Sequence, residues 1–172
     1  MAEYVINGCQ RLNGCIDIQG AKNSALPILA STILCRGEVV LHNCPRLTDV
    51  DTSVRILRYL GCTVYRDDNT ITVDSSGLYR CDVPAELMRK MRSSILFLGA
   101  ILGRVGQAKM SLPGGCELGP RPIDLHLSSL SQMGMMLKEQ HGLLNCKTDK
   151  GLHGADITLS FPSVGATEDI MI

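Results

Sequence analysis

Between Pro113 and Pro122 the chain places one thiol, Cys116, in a ten-residue stretch that also holds Gly114, Gly115, Gly119 and Pro120. Glycine and proline at this density disfavour helix and strand interiors and belong to an exposed loop. A cysteine on such a loop is not hidden in a core. Arg121, close behind it, supplies a cation that would favour the thiolate or hold an anionic ligand. The plainer alternative is a flexible turn with an incidental thiol. One cysteine without a visible histidine partner does not decide between the two. A second set of candidates is Lys22-Asn23 at the head of one expected helix and Arg92 at the equivalent place in another. Helix starts attract anions, so these cations with Arg121 could clamp a phosphate or carboxylate. On spacing alone, solvated surface charge is the more ordinary reading of Lys22 and Arg92.

The elements that must carry these residues are organised as a repeat. Asn23-Ser24-Ala25-Leu26-Pro27-Ile28-Leu29-Ala30 resembles Arg92-Ser93-Ser94-Ile95-Leu96-Phe97-Leu98-Gly99. Gly37 and Gly106 then precede the apolar runs Val39 to Leu41 and Ala108 to Leu112. Farther on, Asp51-Thr52-Ser53 with Leu57, Leu60 and Gly61 matches Asp124-Leu125-His126 with Leu130, Met133 and Gly134. The second copy carries a short insertion, and Cys116 lies in it. Helices are expected over 22–35 and 85–104, the latter starting after Pro84. Leu47, Val50, Val54, Leu57 and Leu60 recur at helical spacing, as do Ile123, Leu127, Leu130 and Met133, and both helices end at a glycine. Short strands are expected over 63–65, 70–73 and 143–147, separated by turns such as Asp68-Asn69 and His141-Gly142. This is an α/β chain of βαβαββ-like units, with repeats at about 21–80 and 81–150. A third copy is expected to begin with a strand over 157–160 and a helix from Ala166 to Ile172. A repeat that stops inside a helix points to a longer functional protein.

Composition excludes several classes. With 172 residues, 17 Lys+Arg balanced by 17 Asp+Glu, and 3% aromatic residues, the chain has neither the charge nor the stacking platforms of a general nucleic-acid binder. The apolar stretch from Ile95 to Leu102 is far short of the roughly 20 residues a membrane span needs. The start, Met1-Ala2-Glu3-Tyr4-Val5, lacks the pattern of a secretory signal, and a cytoplasmic location is expected. The eight cysteines contain no Cys-x-x-Cys pair, so neither a zinc site nor a disulfide framework is expected, and most thiols are expected to be small buried residues.

Several motifs together carry a family resemblance: Gly20-Ala21-Lys22-Asn23-Ser24-Ala25-Leu26-Pro27, Thr48-Asp49-Val50-Asp51-Thr52, Lys90-Met91-Arg92-Ser93-Ser94, Leu112-Pro113-Gly114-Gly115-Cys116, Gly119-Pro120-Arg121-Pro122-Ile123-Asp124-Leu125-His126 and Ser163-Val164-Gly165-Ala166-Thr167. In order and over the whole chain, they resemble the amino-terminal part of the UDP-N-acetylglucosamine enolpyruvyl transferases, also called 1-carboxyvinyltransferases. The Gly-Gly-Cys loop separates these from their fold relatives acting on shikimate 3-phosphate. The resemblance implies the inside-out α/β barrel of repeated βαβαββ units, here incomplete after the second unit. It also implies that residues 1–20 pack as strands on a second domain absent from this sequence, with residues 21–172 forming the first domain. The implied reaction is transfer of enolpyruvate from phosphoenolpyruvate to the 3-hydroxyl of UDP-N-acetylglucosamine with release of phosphate. That is the first committed step of peptidoglycan synthesis, and so bears on cell shape and division.

By the same resemblance Cys116 is the loop acid, the thiol that forms a covalent pyruvate adduct and the site alkylated by fosfomycin. Lys22 and Arg121 hold phosphoenolpyruvate, with Asn23 beside them and Arg92 as a substrate contact. The stretches Arg121, Pro122, Ile123, Asp124, Leu125 and Phe161, Pro162, Ser163, Val164 contact the uridine diphosphate. No metal or cofactor is implied. The aspartate base and further clamp arginines lie in the carboxyl-terminal domain, so turnover by this stretch alone is not expected. The competing expectations are a half-protein that binds a UDP-sugar or a partner without catalysis, and a shikimate-type transferase.

Overall fold

The computed structural model describes residues 3–8, 11–114 and 122–172. The first unit is built from α1 (Lys22–Ser31), β1 (Glu38–Leu41), α2 (Thr48–Leu60), β2 (Thr63–Asp67) and β3 (Thr70–Asp74). The second follows with β4 (Asp82–Val83), α3 (Ala85–Met88), α4 (Phe97–Val105), β5 (Gln107–Ser111), α5 (Asp124–Gln132), β6 (Met136–Gln140) and β7 (Leu143–Lys147), and α6 (Val164–Met171) closes the chain. The strand orders are β1-β3-β2 and β4-β5-β7-β6. All neighbours are antiparallel except β4 and β5, which run parallel. The second unit is thus a full βαβαββ element, and β1-β3-β2 repeats the order of β5-β7-β6.

Alternation along the strands turns one face of each sheet inward: Val64, Ile71 and Val73 from the first, and Ala108, Met110, Leu144 and Cys146 from the second, are buried. They join one core with the helices of both units. At its centre α4 has six successive buried residues, Phe97 through Leu102. A helix apolar on every side has to be enclosed by other elements, and α4 packs against α1, α6, β5 and the short 3-10 turns Thr32–Leu34 and Arg92–Leu96. The amphipathic α2 buries Val50, Val54, Leu57 and Leu60 as its spacing predicts, while Leu47 stands outside as its partly exposed cap. Gly61 ends α2 with φ 104°, a left-handed conformation that favours glycine.

Three expectations are corrected. The continuous helix over 85–104 is broken after α3, where Met91 is extended, and resumes as the turn Arg92–Leu96 and then α4. The Ser94 hydroxyl donates to the carbonyls of Met88 (3.0 Å) and Met91 (2.8 Å), satisfying groups that the break would orphan. No strand forms over 157–160: Ile157 and Leu159 are half-buried and alternate with exposed neighbours, but no strand lies beside them to pair their backbone. On α5 the buried face includes His126 and Ser129 besides Leu130, because α6 covers a side that an isolated amphipathic helix would leave to water. The described residues before Gly20 form no helix or strand, and Tyr4, Val5, Ile6, Leu12, Ile16 and Ile18 are exposed.

Gly99 shows how tightly α6 seats on α4. A Cβ there would lie 2.5 Å from Asp169 Oδ1 and 2.9 Å from the Asp169 carbonyl oxygen. Gly99→Ala is therefore expected to lower the unfolding free energy by about 2 kcal/mol or more through overpacking, although alanine exceeds glycine in helix propensity by about 1 kcal/mol. Urea denaturation measures the difference, and a variant as stable as the parent would contradict this account.

Candidate functional site

Lys22 is the first residue of α1, whose N-cap, Ala21, offers no side-chain acceptor and whose first turn has no acid. The helix thus presents uncapped N–H groups and a cation at the same end, an arrangement suited to an anion. Pro27 inside α1 removes the N–H that would bond to the Asn23 carbonyl, loosening the same turn. The first turn of α2 is acidic, and each carboxylate has a separate task. Asp51 meets Arg66 on β2 at 3.0 Å, while Asp49 meets Lys22 Nζ at 3.0 Å. Arg66 also donates to the carbonyls of Cys44 and Pro45, fixing the loop that leads into α2. The half-exposed Lys22–Asp49 pair adds little stability but points the ammonium in one direction.

That direction is a cavity of about 440 Å³ between the two units. Lys22, Asn23 and Asp49 line it from the first unit, and Lys90, Met91, Arg92, Ser93 and His126 from the second. Gly165 and Glu168 of α6 complete the wall. The break after α3 has a direct consequence here, since it is the segment from Lys90 to Ser93 that forms the cavity's second-unit side. The same segment and the end of α3 bond the described residues on either side of the stretch 115–121. The Gly114 N–H donates to the Met88 carbonyl at 2.8 Å, and Arg92 Nη2 donates to the Pro122 carbonyl at 3.1 Å. Of the two flanks of the stretch 115–121, Pro122 is thereby tied to Arg92 in the cavity wall and Gly114 to the buried end of α3, two residues before the cavity-lining Lys90. Cys116 and Arg121 themselves lie outside the described residues.

The other expected site residues are distributed unevenly. Lys22, Asn23 and Arg92 come together at the cavity. Pro122 is exposed beside Arg92, Asp124 opens α5, and Ile123 and Leu125 are buried. Phe161, Pro162 and Val164 are exposed around the start of α6, and the Ser163 hydroxyl caps that helix by accepting from the Ala166 N–H at 3.3 Å. Sequence reasoning passed over Asp49, Lys90, His126 and Glu168 as cavity residues. His126 could have been noticed as a polar residue on an otherwise apolar face of α5; Glu168 carried no such signal.

Beneath the cavity wall, Asp169 of α6 is 1% exposed and His126 is 6% exposed. Asp169 Oδ2 lies 2.9 Å from His126 Nδ1, and Oδ1 accepts from the Gly99 N–H at 3.1 Å. Burial pushes the Asp169 carboxyl above the usual carboxylate range, opposed by the histidine and the Gly99 N–H. Glu168 is also raised by burial, with His126 pulling it back. Among the described cysteines, Cys44, Cys62 and Cys146 are buried, Cys81 is half-buried, and Cys15 and Cys35 are exposed. The expectation that most thiols are buried thus holds for only three of these six. No disulfide joins the described cysteines, no cluster of metal-ligating side chains occurs among the described residues, and no described helix is long and apolar enough to cross a membrane.

Two βαβαββ-like units thus meet with a polar, cation-lined cavity between them. Among solved structures the chain resembles the enolpyruvyl transferase NikO from Streptomyces tendae, with a TM-score of 0.71 and 25% identity, covering 83% of this chain and 31% of that one. It shares the fold of EPSP synthase from Acinetobacter baumannii, with a TM-score of 0.70 at 16% identity, over 91% of this chain and 37% of the other. The family model for EPSP synthase (3-phosphoshikimate 1-carboxyvinyltransferase) matches residues 6–172, and the chain belongs to this family. Within it, the chain is 48% identical over all 172 residues to UDP-N-acetylglucosamine 1-carboxyvinyltransferase 2 of Caldanaerobacter subterraneus subsp. tengcongensis. It is 45% identical over 171 residues to UDP-N-acetylglucosamine 1-carboxyvinyltransferase of Thermotoga maritima. The chain spans about 41% of the length of each of these relatives.

Burial pushes the Cys62 and Cys146 thiols up to about 11. At pH 8 iodoacetamide is expected to modify Cys15 and Cys35 and to leave Cys62 and Cys146 unlabelled until the protein is unfolded, as peptide mapping would read. These two thiols ionise near 9.0 when exposed and higher when folded, so they cost the fold stability as pH rises from about 9 to about 11. Rapid labelling of Cys62 in the native protein would contradict the buried placement.

Proposed function

We infer that this chain forms the amino-terminal side of the active site of an enzyme that transfers enolpyruvate from phosphoenolpyruvate to the 3-hydroxyl of UDP-N-acetylglucosamine, the entry step of peptidoglycan synthesis in the cytoplasm. The observation that carries the reading is the convergence of Lys22, Asn23 and Arg92 on one cavity, with Arg92 also holding Pro122, next to the stretch that contains Cys116 and Arg121. The names of the relatives at 45–48% identity supply the substrate class.

The reaction adds a proton to C3 of phosphoenolpyruvate and the sugar oxygen to C2, which gives a tetrahedral intermediate. That intermediate then loses a proton from C3 and expels phosphate. Such a sequence requires an acid, a base and an anion clamp. Cys116 is assigned as the acid that delivers the C3 proton, and as the thiol that forms the pyruvate adduct. Lys22 and Arg121 hold the phosphate and carboxylate, with Lys22 kept on station by Asp49; Asn23 and Arg92 contact the substrates. The stretches Arg121 to Leu125 and Phe161 to Val164 hold the uridine diphosphate, the latter at the capped start of α6. The base toward the sugar hydroxyl comes from the carboxyl-terminal part of the relatives, beyond the stretch that matches this chain. Activity is accordingly assigned to the protein that includes that part. No metal or organic cofactor has a role in this scheme.

Intact-mass spectrometry with fosfomycin, with and without UDP-N-acetylglucosamine, tests the reading. A single sugar-dependent adduct mapped to Cys116 is the expected result. An adduct spread over several thiols, or none, would remove Cys116 from its assigned role in this chain.

A further inference from the structure

We propose that His126 is a phosphate-binding residue of the cavity, held by Asp169 as its positioning residue, and that it takes up a proton from solvent when the anion binds. This rests on the reading that the cavity receives phosphate-bearing substrates, and adds a residue and a protonation step to it. The observation behind it is the asymmetry of the imidazole. Nδ1 is committed to a carboxylate that is 1% exposed and whose other oxygen is occupied by the Gly99 N–H. Nε2 has no hydrogen-bond partner among the described residues. It lies against Gly165 in the first turn of α6, where a Cβ would sit 3.4 Å from it, and both residues line the cavity.

With Nδ1–H donated to Asp169, a neutral ring offers only a lone pair at Nε2, which a phosphate oxygen would repel. The ring can donate to the anion only as imidazolium, and then lies between two negative groups, the buried carboxylate and the ligand, which both favour its charge. The surrounding charges are consistent with a proton that arrives with the ligand. Lys90, Arg92 and Lys22 line the same cavity as the ring, and their positive charge disfavours a further cation while no anion is bound. Glu168 on α6 and Asp49 on α2 favour it, Asp49 already being paired with Lys22, and Asp124 on α5 itself is exposed. Binding of an anion shifts this balance toward the imidazolium. No covalent bond changes.

The test uses the full chain, calorimetry in buffers of different ionisation enthalpy, and nitrogen NMR of the histidine side chains, with UDP-N-acetylglucosamine, phosphoenolpyruvate and inorganic pyrophosphate as separate probes. The diphosphate of the nucleotide sugar does not itself titrate between pH 6 and 8, so for this probe a pH dependence belongs to the protein. The expected result is roughly tenfold tighter binding at pH 6 than at pH 8, net proton uptake, and a His126 Nε2 resonance that moves to the imidazolium range. In Asp169→Asn the amide can donate to Nδ1, leaving a neutral ring with its hydrogen on Nε2. This variant should bind more weakly at pH 6 and without proton uptake. His126→Gln should lose the pH dependence as well, and keeps the test decisive if Asp169→Asn does not fold. Equal pH dependence in parent and His126→Gln, or a His126 resonance unmoved by all three probes, overturns the proposal. A response to phosphoenolpyruvate alone places the three-carbon substrate at His126; a response to the nucleotide sugar places its diphosphate there. If pyrophosphate moves the resonance while neither substrate binds, the anion site stands and the substrate reading falls.

Discussion

Everything in this chain is arranged around the burial of α4. Its six successive buried residues have no solvent-facing side, so elements of both units and α6 must pack around it. The Asp169 carboxylate comes against its middle at Gly99, and that is possible because residue 99 has no Cβ. A buried carboxylate in an apolar environment is costly unless it is hydrogen-bonded and paired. Asp169 meets the requirement with one backbone N–H and one imidazole. The consequence reaches the surface, because the imidazole that hydrogen-bonds the core carboxylate is also part of the cavity wall.

The cavity follows from the duplication in a similar way. Each unit contributes a segment with polar side chains, Lys22-Asn23 at the start of α1 in one and Lys90 to Ser93 between α3 and α4 in the other, and packing around α4 brings both to one cavity. Neither unit encloses the space alone. The acidic first turn of α2 ties the arrangement together on the first-unit side: Asp51 holds the strand-borne Arg66 and Asp49 holds Lys22. On the other side the Ser94 hydroxyl stabilises the broken helix that lets Arg92 bond Pro122 and Met88 bond Gly114. A continuous helix from Ala85 would have used the Met88 carbonyl internally, leaving it unavailable to Gly114.

The expectations drawn from spacing fared according to what kind of physics decided each element. Helix α2 was legible because its stripe, from Val50 to Leu60, is a local pattern with one buried face. The broken helix was not, since apolar spacing runs on through Arg89 to Met91 and the interruption depends on Ser94 and on the distant Gly114. The region over 157–160 has the alternation of a strand, yet strand pairing is a long-range property and no partner lies beside it. In the sequence His126 stands out only as part of a motif. Its importance depends on Asp169, 43 residues away, which approaches only once α6 is seated.

From the residues alone followed the α/β class, the duplicated units, most helix faces, the candidate anion-binding helix start at Lys22 and the family resemblance, because propensity, periodicity and motif order are carried by near neighbours in the chain. The tertiary structure alone decided which charges share a cavity, where the second-unit helix breaks, which carboxylate of α2 orients Lys22, and that a histidine of α5 meets an aspartate of α6. Those outcomes depend on which surfaces are excluded from water together, and that is settled only when the helices close around α4.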